Sequence, residues 1–436
     1  MRGSKKITRS ILGAILLTMA LGFASPSPTL AATTHLDEMA DLDEMLTFAA
    51  ANNPGLEAAL HRWRAALEKI PQAGALPDPQ FSYSYWVNEV ETRVGPQRQK
   101  FKLNQTLPGF GKLDLKENAA VRAAESERYR YEAAARRLFL EVKVAYYELA
   151  YLFRAIEVSE ESLSLLSKLE NVVRTRYRAS KATHSDLIRA QLERSMLADR
   201  LASLRDLRHP LEARLNAALG RSSEALLPRP MILTTSSLEL GEQELLDNLL
   251  RTNPDLQSLG REMERQRFLV ELAGKQSQPD FNIGFEFMET GPTLMPDVQD
   301  SGKDPFAVMV SLNLPLWRGK YRAAESESVL RSLVIDRTIH DRANTLSVHL
   351  KEALYDYRDG ERKALLYRDN LIPQGRQAFE VTEQAYIAGK LEFTNLVDAQ
   401  RVLLEFQLSH ERALADCAKS LAKIEMLAGV PDERTK

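Results

Sequence analysis

The side chains that most often carry catalysis or bind metals are sparse in this sequence. There are seven histidines and one cysteine among 436 residues, and His184, His340 and His349 are scattered and expected to face solvent. We find no Gly-x-Ser-x-Gly, no His-Glu-x-x-His, no glycine-rich phosphate loop and no cluster of Cys with His. The sequence therefore predicts no catalytic residue, no cofactor and no metal ligand, and the protein is interpreted as a non-enzyme.

Sulfur-containing side chains leave one alternative open. Met288, Met295 and Met309 lie near one predicted hairpin and could bind a soft metal ion, although apolar filling is the favoured interpretation. Cys417 is interpreted as a small packing residue, because a single cysteine forms no disulfide within one chain.

The charge balance and the first residues bear on location and partners. A formal net charge of -2 and a pI near 6.5 lack the basic footprint of a nucleic-acid binder, so no nucleic-acid partner is expected. Basic residues precede an apolar run at 11–24, and small residues at 29–32 suit a signal peptidase. Residues 1–32 are predicted to be a signal peptide, since the run is shorter than the ~20 residues of a spanning helix.

Four short segments alternate apolar and polar residues with a period of two, near residues 80–88, 99–107, 280–289 and 306–314. Such alternation predicts β-strands with one apolar and one polar face. The aromatic residues predicted to face the membrane are Phe81, Tyr83, Tyr85, Phe281 and Phe285. Strands of this length suit a membrane barrel, and the alternative is a small soluble sheet packed on helices.

Long helices are predicted beyond each strand pair. Residues 112–209 contain no glycine or proline and carry apolar heptads, which indicates a coiled coil. The chain must reverse once in this run, and the small and polar residues near 178–184 are the predicted turn. A second turn is predicted near 387–393, where Gly389 suits a helix end, and Pro373 predicts a kink before it. Shorter helices are predicted at 42–51 and 56–72.

The same motifs return in the same order roughly 200 residues later, which indicates a tandem duplication. For example, Asn-Pro-Gly-Leu at 53–56 returns as Asn-Pro-Asp-Leu at 253–256. We therefore divide the chain after the signal peptide into a first structural repeat at 33–227 and a second at 228–436.

Four strands per chain cannot close a barrel, because small barrels need about eight. An open sheet edge inside lipid would leave amide and carbonyl groups unpaired. Several chains must then contribute strands to one barrel, and the helices are long enough to cross a periplasm. The predicted fold class is a mixed α and β membrane protein, in which long antiparallel coiled-coil helices adjoin four strands of a shared β-barrel.

On these elements the chain resembles the TolC-type outer-membrane efflux family. The resemblance includes Ala-Leu-Pro-Asp-Pro-Gln-Phe at 75–81, Leu-Asn-Leu-Pro-Leu-Trp at 312–317, and Tyr-Ile-Ala-Gly-Lys at 386–390 before Asn-Leu-Val-Asp-Ala-Gln at 395–400. It implies a homotrimer whose twelve strands form one barrel in the outer-membrane lipid of a Gram-negative bacterium. A helical α-barrel would continue it into the periplasm, with an equatorial belt that includes the C-terminal segment. The implied partners are a periplasmic adaptor protein and, through it, an inner-membrane transporter of a tripartite efflux or secretion system.

The resemblance also implies roles for the two helix reversals, as the periplasmic tip of the channel. The implied gate residues are Asp398, Asn395, Asp186 and Tyr386. Three Asp398 carboxylates near one axis would favour cations, and Asp186 with Tyr386 would link two helices. The alternative is that both aspartates are helix N-terminal acids favoured by the dipole. The implied adaptor-docking residues are Ser180, Lys181, Gly389 and Lys390, with Ser180 where the family often has glycine.

Two other functions remain compatible with the sequence. A soluble periplasmic coiled-coil adaptor of such a system would place no strands in lipid, and an exported enzyme would have a pocket of convergent polar groups. The sequence contains no signature of the cargo, which could be a drug, a metal ion or a polypeptide.

Overall fold

The computed structural model describes residues 41–429, apart from 110, 232, 234–237 and 239. The predicted signal peptide at 1–32 and residues 430–436 lie outside this range. Within the described part of the chain, no helix is both long enough and apolar enough to cross a membrane.

An order of shorter helices, two strands, a long helix, a turn and a return helix occurs twice along the chain. The first set comprises α1 (Leu42–Asn52), α2 (Pro54–Leu67), α3 (Lys69–Gly74), β1 (Gln80–Val90), β2 (Gln97–Leu107), α4 (Lys112–Arg178), α5 (His184–Asp206) and α6 (Arg208–Leu219). The second comprises α7 (Glu242–Thr252), α8 (Pro254–Lys275), β3 (Phe281–Thr290), β4 (Phe306–Leu312), α9 (Arg318–Leu366), a π-helical turn (Tyr367–Leu371), α10 (Ile372–Ile387) and α11 (Phe393–Ala428).

Asparagine–proline pairs begin two of these helices. The side chain of Asn53 caps α2 and that of Asn253 caps α8, and proline suits the next position because the first helical amides have no partner within the helix. The amide group of Asn53 also donates to the Ala218 carbonyl at 3.0 Å, and that of Asn253 to the Leu427 carbonyl at 3.0 Å. Each cap therefore also ties its helix to the end of another helix.

Helix α4 is unbroken over 67 residues, a length of about 100 Å at ~1.5 Å per residue. Its continuity follows from the absence of glycine and proline, and its heptad residues Val142, Leu149 and Leu166 are buried. Before it, Gly111 adopts a φ of 78°, a left-handed conformation that suits glycine. This conformation allows the sharp turn from β2 into α4.

Proline modifies two of the predicted helices. The single helix predicted at 56–72 was wrong, because the chain forms α2 and α3 with a break at Glu68. Pro71 lacks an N–H, and its ring conflicts with the carbonyl of Leu67, which disrupts an uninterrupted helix there. A kink is predicted at Pro373, and the structure has a π-helical turn that directly precedes α10 there.

The four strands form one antiparallel sheet in the order β1-β2-β3-β4. One row across the sheet consists of Phe81, Leu103, Phe285 and Val308, so one face is apolar on every strand. The next row, on the other face, consists of Ser82, Lys102, Glu286 and Ala307. The predicted strand positions and their alternation are confirmed.

The helices pack as a ribbon with two free sides. Towards the sheet, α4 and α8 lie between α2 and α9, and towards the helix reversals, α4 and α11 lie between α5 and α10. The core near the reversals includes Leu166, Val173, Phe393 and Leu396. A second core joins α7, α9 and α11 through Leu245, Leu350 and Ile424.

Helices α9 and α11 are in close contact at Gly360 and Cys417. A Cβ atom added to Gly360 would lie 3.2 Å from both the Cβ and the backbone nitrogen of Cys417. Burial, together with the charge of Glu361, raises the pKa of the Cys417 thiol to about 12. Cys417 is therefore a protonated packing residue, as its interpretation from the sequence proposed.

We expect Gly360→Leu to lower the free energy of unfolding by about 1–3 kcal/mol, because the added side chain must push two tightly packed backbones apart. The matched control is Gly260→Leu in α8, where an added Cβ meets nothing within 4 Å. Helix propensity alone predicts that this control is neutral or stabilising by up to about 1 kcal/mol. Thermal unfolding followed by circular dichroism measures both, and equal melting shifts would contradict the close-approach argument.

Candidate channel surface and helix tips

The apolar face of the sheet is open to its surroundings within the described structure. Phe81 is 66% exposed and Tyr85 is 64% exposed, and Tyr83 and Phe285 are exposed beside them. Phe281, at the start of β3, is partly buried. An exposed apolar surface that continues over four strands is unusual for a soluble protein and marks an interaction surface.

The opposite face of the sheet is polar, and some of its side chains pair with one another. Lys100 Nζ lies 2.6 Å from Glu286 Oε1, which joins β2 to β3. Near the helices, the Thr106 hydroxyl donates to Asn282 Oδ1 at 3.2 Å. The sheet therefore separates an apolar surface from a hydrated one.

An ion pair between a buried lysine and a partly exposed aspartate holds the sheet against the helices. The Lys112 side chain is 4% exposed, and its Nζ donates to Asp280 Oδ1 at 2.8 Å and to the Gln278 carbonyl at 2.8 Å. The Gly109 amide donates to the same carboxylate oxygen at 2.6 Å. Burial by itself raises the pKa of Asp280, but the hydrogen bonds from Lys112 and Gly109 outweigh it, so the pKa lies below its usual value. The β2–α4 and α8–β3 connections are thereby joined at one point.

The two helix reversals share one backbone hydrogen-bond pattern. In each, one amide bonds three residues back and the next amide bonds five residues back, at 2.8–3.0 Å, which is the Schellman arrangement. The left-handed residue is Ser180 in the first turn, with φ 58°, and Gly389 in the second, with φ 76°. Lys181 and Lys390 follow them, and all four residues are exposed.

Ser180 occupies a conformation that disfavours residues with a Cβ atom. We expect Ser180→Gly to raise the free energy of unfolding by about 0.5–1 kcal/mol, since the relief of strain exceeds the greater freedom of glycine in the unfolded chain. Gly389→Ala is the matched reverse change and should cost about 1 kcal/mol. Urea unfolding of both variants measures these shifts, and shifts of the same sign would contradict a shared turn geometry.

Asp186 acts as an N-cap partner within its own helix. Its Oδ2 accepts from the Thr183 amide at 2.9 Å and from the Thr183 hydroxyl at 2.8 Å, and Thr183 Oγ1 accepts from the Asp186 amide at 3.1 Å. This is a capping box, which satisfies two otherwise free amides. Within one chain, Asp186 therefore fits the alternative interpretation as a helix N-terminal acid.

Tyr386 lies at the centre of the tip. Its side chain is buried, its ring packs on Phe393 at 5.5 Å between centroids, and the Arg176 guanidinium lies 5.0 Å from the ring centroid. Its hydroxyl is buried without a hydrogen-bond partner among the described residues. Burial raises the pKa of Tyr386, the Arg176 charge opposes the rise and the Asp186 charge adds to it. The charge of one predicted link residue therefore acts on the other, but the two form no direct hydrogen bond within one chain.

Asn395 and Asp398 lie three residues apart on α11, so they share one face of the helix. Both are exposed, and the Asp398 side chain is 62% exposed. Arg401 Nη1 is 3.9 Å from Asp398 Oδ1. The predicted gate residues therefore divide into an exposed pair on α11 and a Tyr386–Asp186 pair at the packed base of the turns.

Three contacts that the sequence did not predict join the two hairpins. The Arg176 guanidinium donates to the Ile387 carbonyl at 2.7 Å, which holds the two turns side by side. Arg401 forms a two-bonded pair with Glu193 across α11 and α5, with Nε to Oε2 at 2.9 Å. Arg189 also donates to the Thr394 hydroxyl. An electrostatic connection between hairpins is therefore present at the tip, through basic residues.

Known proteins are similar to this chain in sequence and in fold. A sequence model of a family described as "Outer membrane efflux protein" matches residues 46–221. The chain is 20% identical over 402 residues to the cobalt-zinc-cadmium resistance protein CzcC of Cupriavidus metallidurans, which covers 89% of this chain and 90% of that protein. It is 22% identical over 411 residues to the pyoverdine export outer membrane protein OpmQ of Pseudomonas putida, covering 89% and 86%. The solved outer-membrane channel OprN has a similar fold, with a TM-score of 0.78 at 17% identity over 89% of both chains.

Proposed function

We propose that three copies of this chain build one conduit. The premise is that the chain belongs to the outer-membrane efflux protein family and is an outer-membrane channel of a Gram-negative bacterium. The twelve strands of the three copies form a barrel in the outer membrane, and their helices continue as a tunnel into the periplasm. The observation that carries this proposal is the sheet, which has an open apolar face and two open edges. We also propose that the two halves of the chain arose by tandem duplication, divided near residue 228.

The sheet edges support self-association. β1 and β4 each have a neighbour on one side only, so their outer amide and carbonyl groups lack strand partners within one chain. In lipid such groups cost several kcal/mol each, and barrel closure removes them. β4 of one copy pairs with β1 of the next in this proposal, and the apolar row that contains Phe81 and Val308 then surrounds the barrel.

The free sides of the helical ribbon support the same assembly. Helix α9 exposes Leu330 and Val334, which are 62% and 64% exposed, at one side. Helix α5 exposes Leu192 and Met196 at the other side. The outward faces of α5 and α9 therefore carry more apolar surface than is usual for a helix face that contacts only water. We propose that adjacent copies cover these surfaces and so close the tunnel wall.

The helix reversals form the periplasmic tip in this arrangement. Members of the family work with adaptor proteins and inner-membrane transporters in tripartite systems, and we propose that Ser180, Lys181, Gly389 and Lys390 present the adaptor-docking surface. Asp398 and Asn395 line the narrow end of the lumen, and Tyr386 and Asp186 set the packing beneath it. Transport energy comes from the inner-membrane partner, since the tunnel itself only conducts.

The rival functions fit the molecule less well. A soluble adaptor would expose the apolar face of the sheet to water, which is unfavourable, and the relatives and similar structures are channels, not enzymes. The names of the two relatives mention different solutes. One name contains cobalt, zinc and cadmium, and the other contains pyoverdine. One scaffold therefore suits chemically different solutes, and we assign no cargo from it.

Fractionation and mass measurement test this function. We expect the protein in outer membranes, extracted only with detergent, as a trimer that runs faster on gels before heating. Each chain should be smaller than the 49.2 kDa of the full sequence, because residues 1–32 are predicted to be removed. Light scattering in detergent should give three chains per particle, and planar bilayers should show single-channel currents. A monomer released in the periplasmic extract would reject the proposal.

A further inference from the structure

The polar face of the sheet carries an unbalanced positive charge. In the regularly paired part of the sheet, the charged residues on this face are Lys100, Lys102 and Glu286. Lys100 pairs with Glu286 at 2.6 Å. Each chain therefore has one more lysine than carboxylate in this part of the face.

Lys102 is the additional lysine. It lies directly between Ser82 of β1 and Glu286 of β3 in the register, and it makes no ion pair or side-chain hydrogen bond with any residue that the structure describes. Because β2 is an inner strand, its neighbours on both sides come from the same chain. Trimer formation therefore does not place another strand against Lys102, and its ammonium group remains available to the lumen.

We infer that three Lys102 side chains form a basic ring inside the barrel, which binds and concentrates anionic solutes that bear carboxylate or phosphate groups. This inference rests on the proposed trimer. In a twelve-stranded barrel the backbone lies about 12 Å from the axis, so the three ammonium groups lie within roughly a Debye length of one another at 0.1 M salt. Their fields add across the lumen, and charged side-chain rings of this kind select ions by sign.

The test uses an introduced thiol as a local probe of potential. Ser82→Cys places a nearly isosteric thiol beside Lys102 on the exposed polar face, and the native Cys417 is buried with its pKa raised to about 12 and stays unlabelled. Intact cells are treated from outside with an anionic or a cationic methanethiosulfonate of similar size. The ratio of the two labelling rates is compared with Lys102, Lys102→Gln or Lys102→Arg in the same chain.

We expect Lys102→Gln to lower the anion-to-cation rate ratio roughly fivefold, from the loss of one charge at about 6 Å in the same chain and two at about 14 Å in the other copies, each with partial screening. Lys102→Arg should preserve the ratio. A thiol that is labelled at an unchanged ratio in Lys102→Gln would overturn the basic ring and leave the channel intact. Leu103→Cys, on the apolar face, tests the premise separately. Labelling of Leu103→Cys but not of Ser82→Cys would mean that the polar face is not luminal, which overturns the proposed barrel.

Discussion

Replacing Asp280 with alanine is expected to lower the free energy of unfolding by about 3–5 kcal/mol per chain, because it leaves a buried lysine without its counter-ion. The Lys112 side chain is 4% exposed and the Asp280 side chain is 33% exposed, so water can reach the vacated position only from the Asp280 side and solvates the ammonium group incompletely. The Gly109 amide loses its acceptor as well. Urea unfolding of the detergent-solubilised protein, followed by circular dichroism, measures the change, together with the fraction of trimer that persists on unheated gels.

Two variants separate the ion pair from a general effect of substitution. The double variant Lys112→Met with Asp280→Ala removes both charges, so we expect it to be more stable than Asp280→Ala alone. Glu327→Ala removes a pair with Arg331 whose side chains are 61% and 68% exposed, and it should cost less than about 1 kcal/mol. If Asp280→Ala matched this exposed control, the junction would contribute little to stability.

The pH dependence of this effect has a defined sign. The pKa of Asp280 is lower in the folded chain than its ordinary value, so the folded state binds its proton less readily than the unfolded state. The stabilising contribution is therefore fully present above about pH 4, the unfolded pKa range, and is lost as the pH falls through the lower folded pKa. The stability difference between wild type and Asp280→Ala should stay constant from pH 7 to 5 and shrink in more acidic solution.

Local sequence patterns were sufficient to predict the positions of the strands and of the helix reversals. The period of two in Phe81, Tyr83 and Tyr85 requires one face to be apolar, and β1 begins at the predicted position. The helix reversals follow from local chemistry also, since Thr183 caps α5 and Gly389 provides the left-handed end of α10. In both cases the information lies within a few residues of the structure that it determines.

Contacts between distant residues could not be predicted in this way. Lys112 and Asp280 are 168 residues apart, and Arg401 and Glu193 are 208 apart, so no spacing rule relates them. A partial signal existed at the junction, because Lys112 begins one long helix and the second copy of the strand entry contains Asp280. The break at Glu68 was missed although Pro71 was visible. Proline is tolerated only in the first turn of a helix, so Pro71 should have ended the predicted helix earlier.

The tip provides the second large expected effect. We expect Arg401→Ala and Glu193→Ala each to raise the single-channel conductance or open probability in planar bilayers, because each removes the two-bonded link between α5 and α11. Arg401 is 51% exposed, so each link contributes about 0.5–1 kcal/mol. Three copies in one trimer together bias the closed tip by about 1.5–3 kcal/mol, which corresponds to roughly 10–150-fold in the closed-to-open ratio.

The adjacent residue Arg194 offers a matched control, since it pairs with Glu170 between α5 and α4 and so lies within one hairpin. Arg194→Ala loses an ion pair at almost the same height but leaves the two hairpins joined, and its conductance should stay near that of wild type. Asp398→Ala removes charge from the exposed face of α11 without breaking the link to Glu193, so it should weaken cation preference more than it raises open probability. If the link between the hairpins holds the gate closed, the open probability of Arg401→Ala must exceed that of both of these variants. If Asp398→Ala alone gave the larger opening, charge repulsion around the axis, and not the link between hairpins, would set the resting state of the tip.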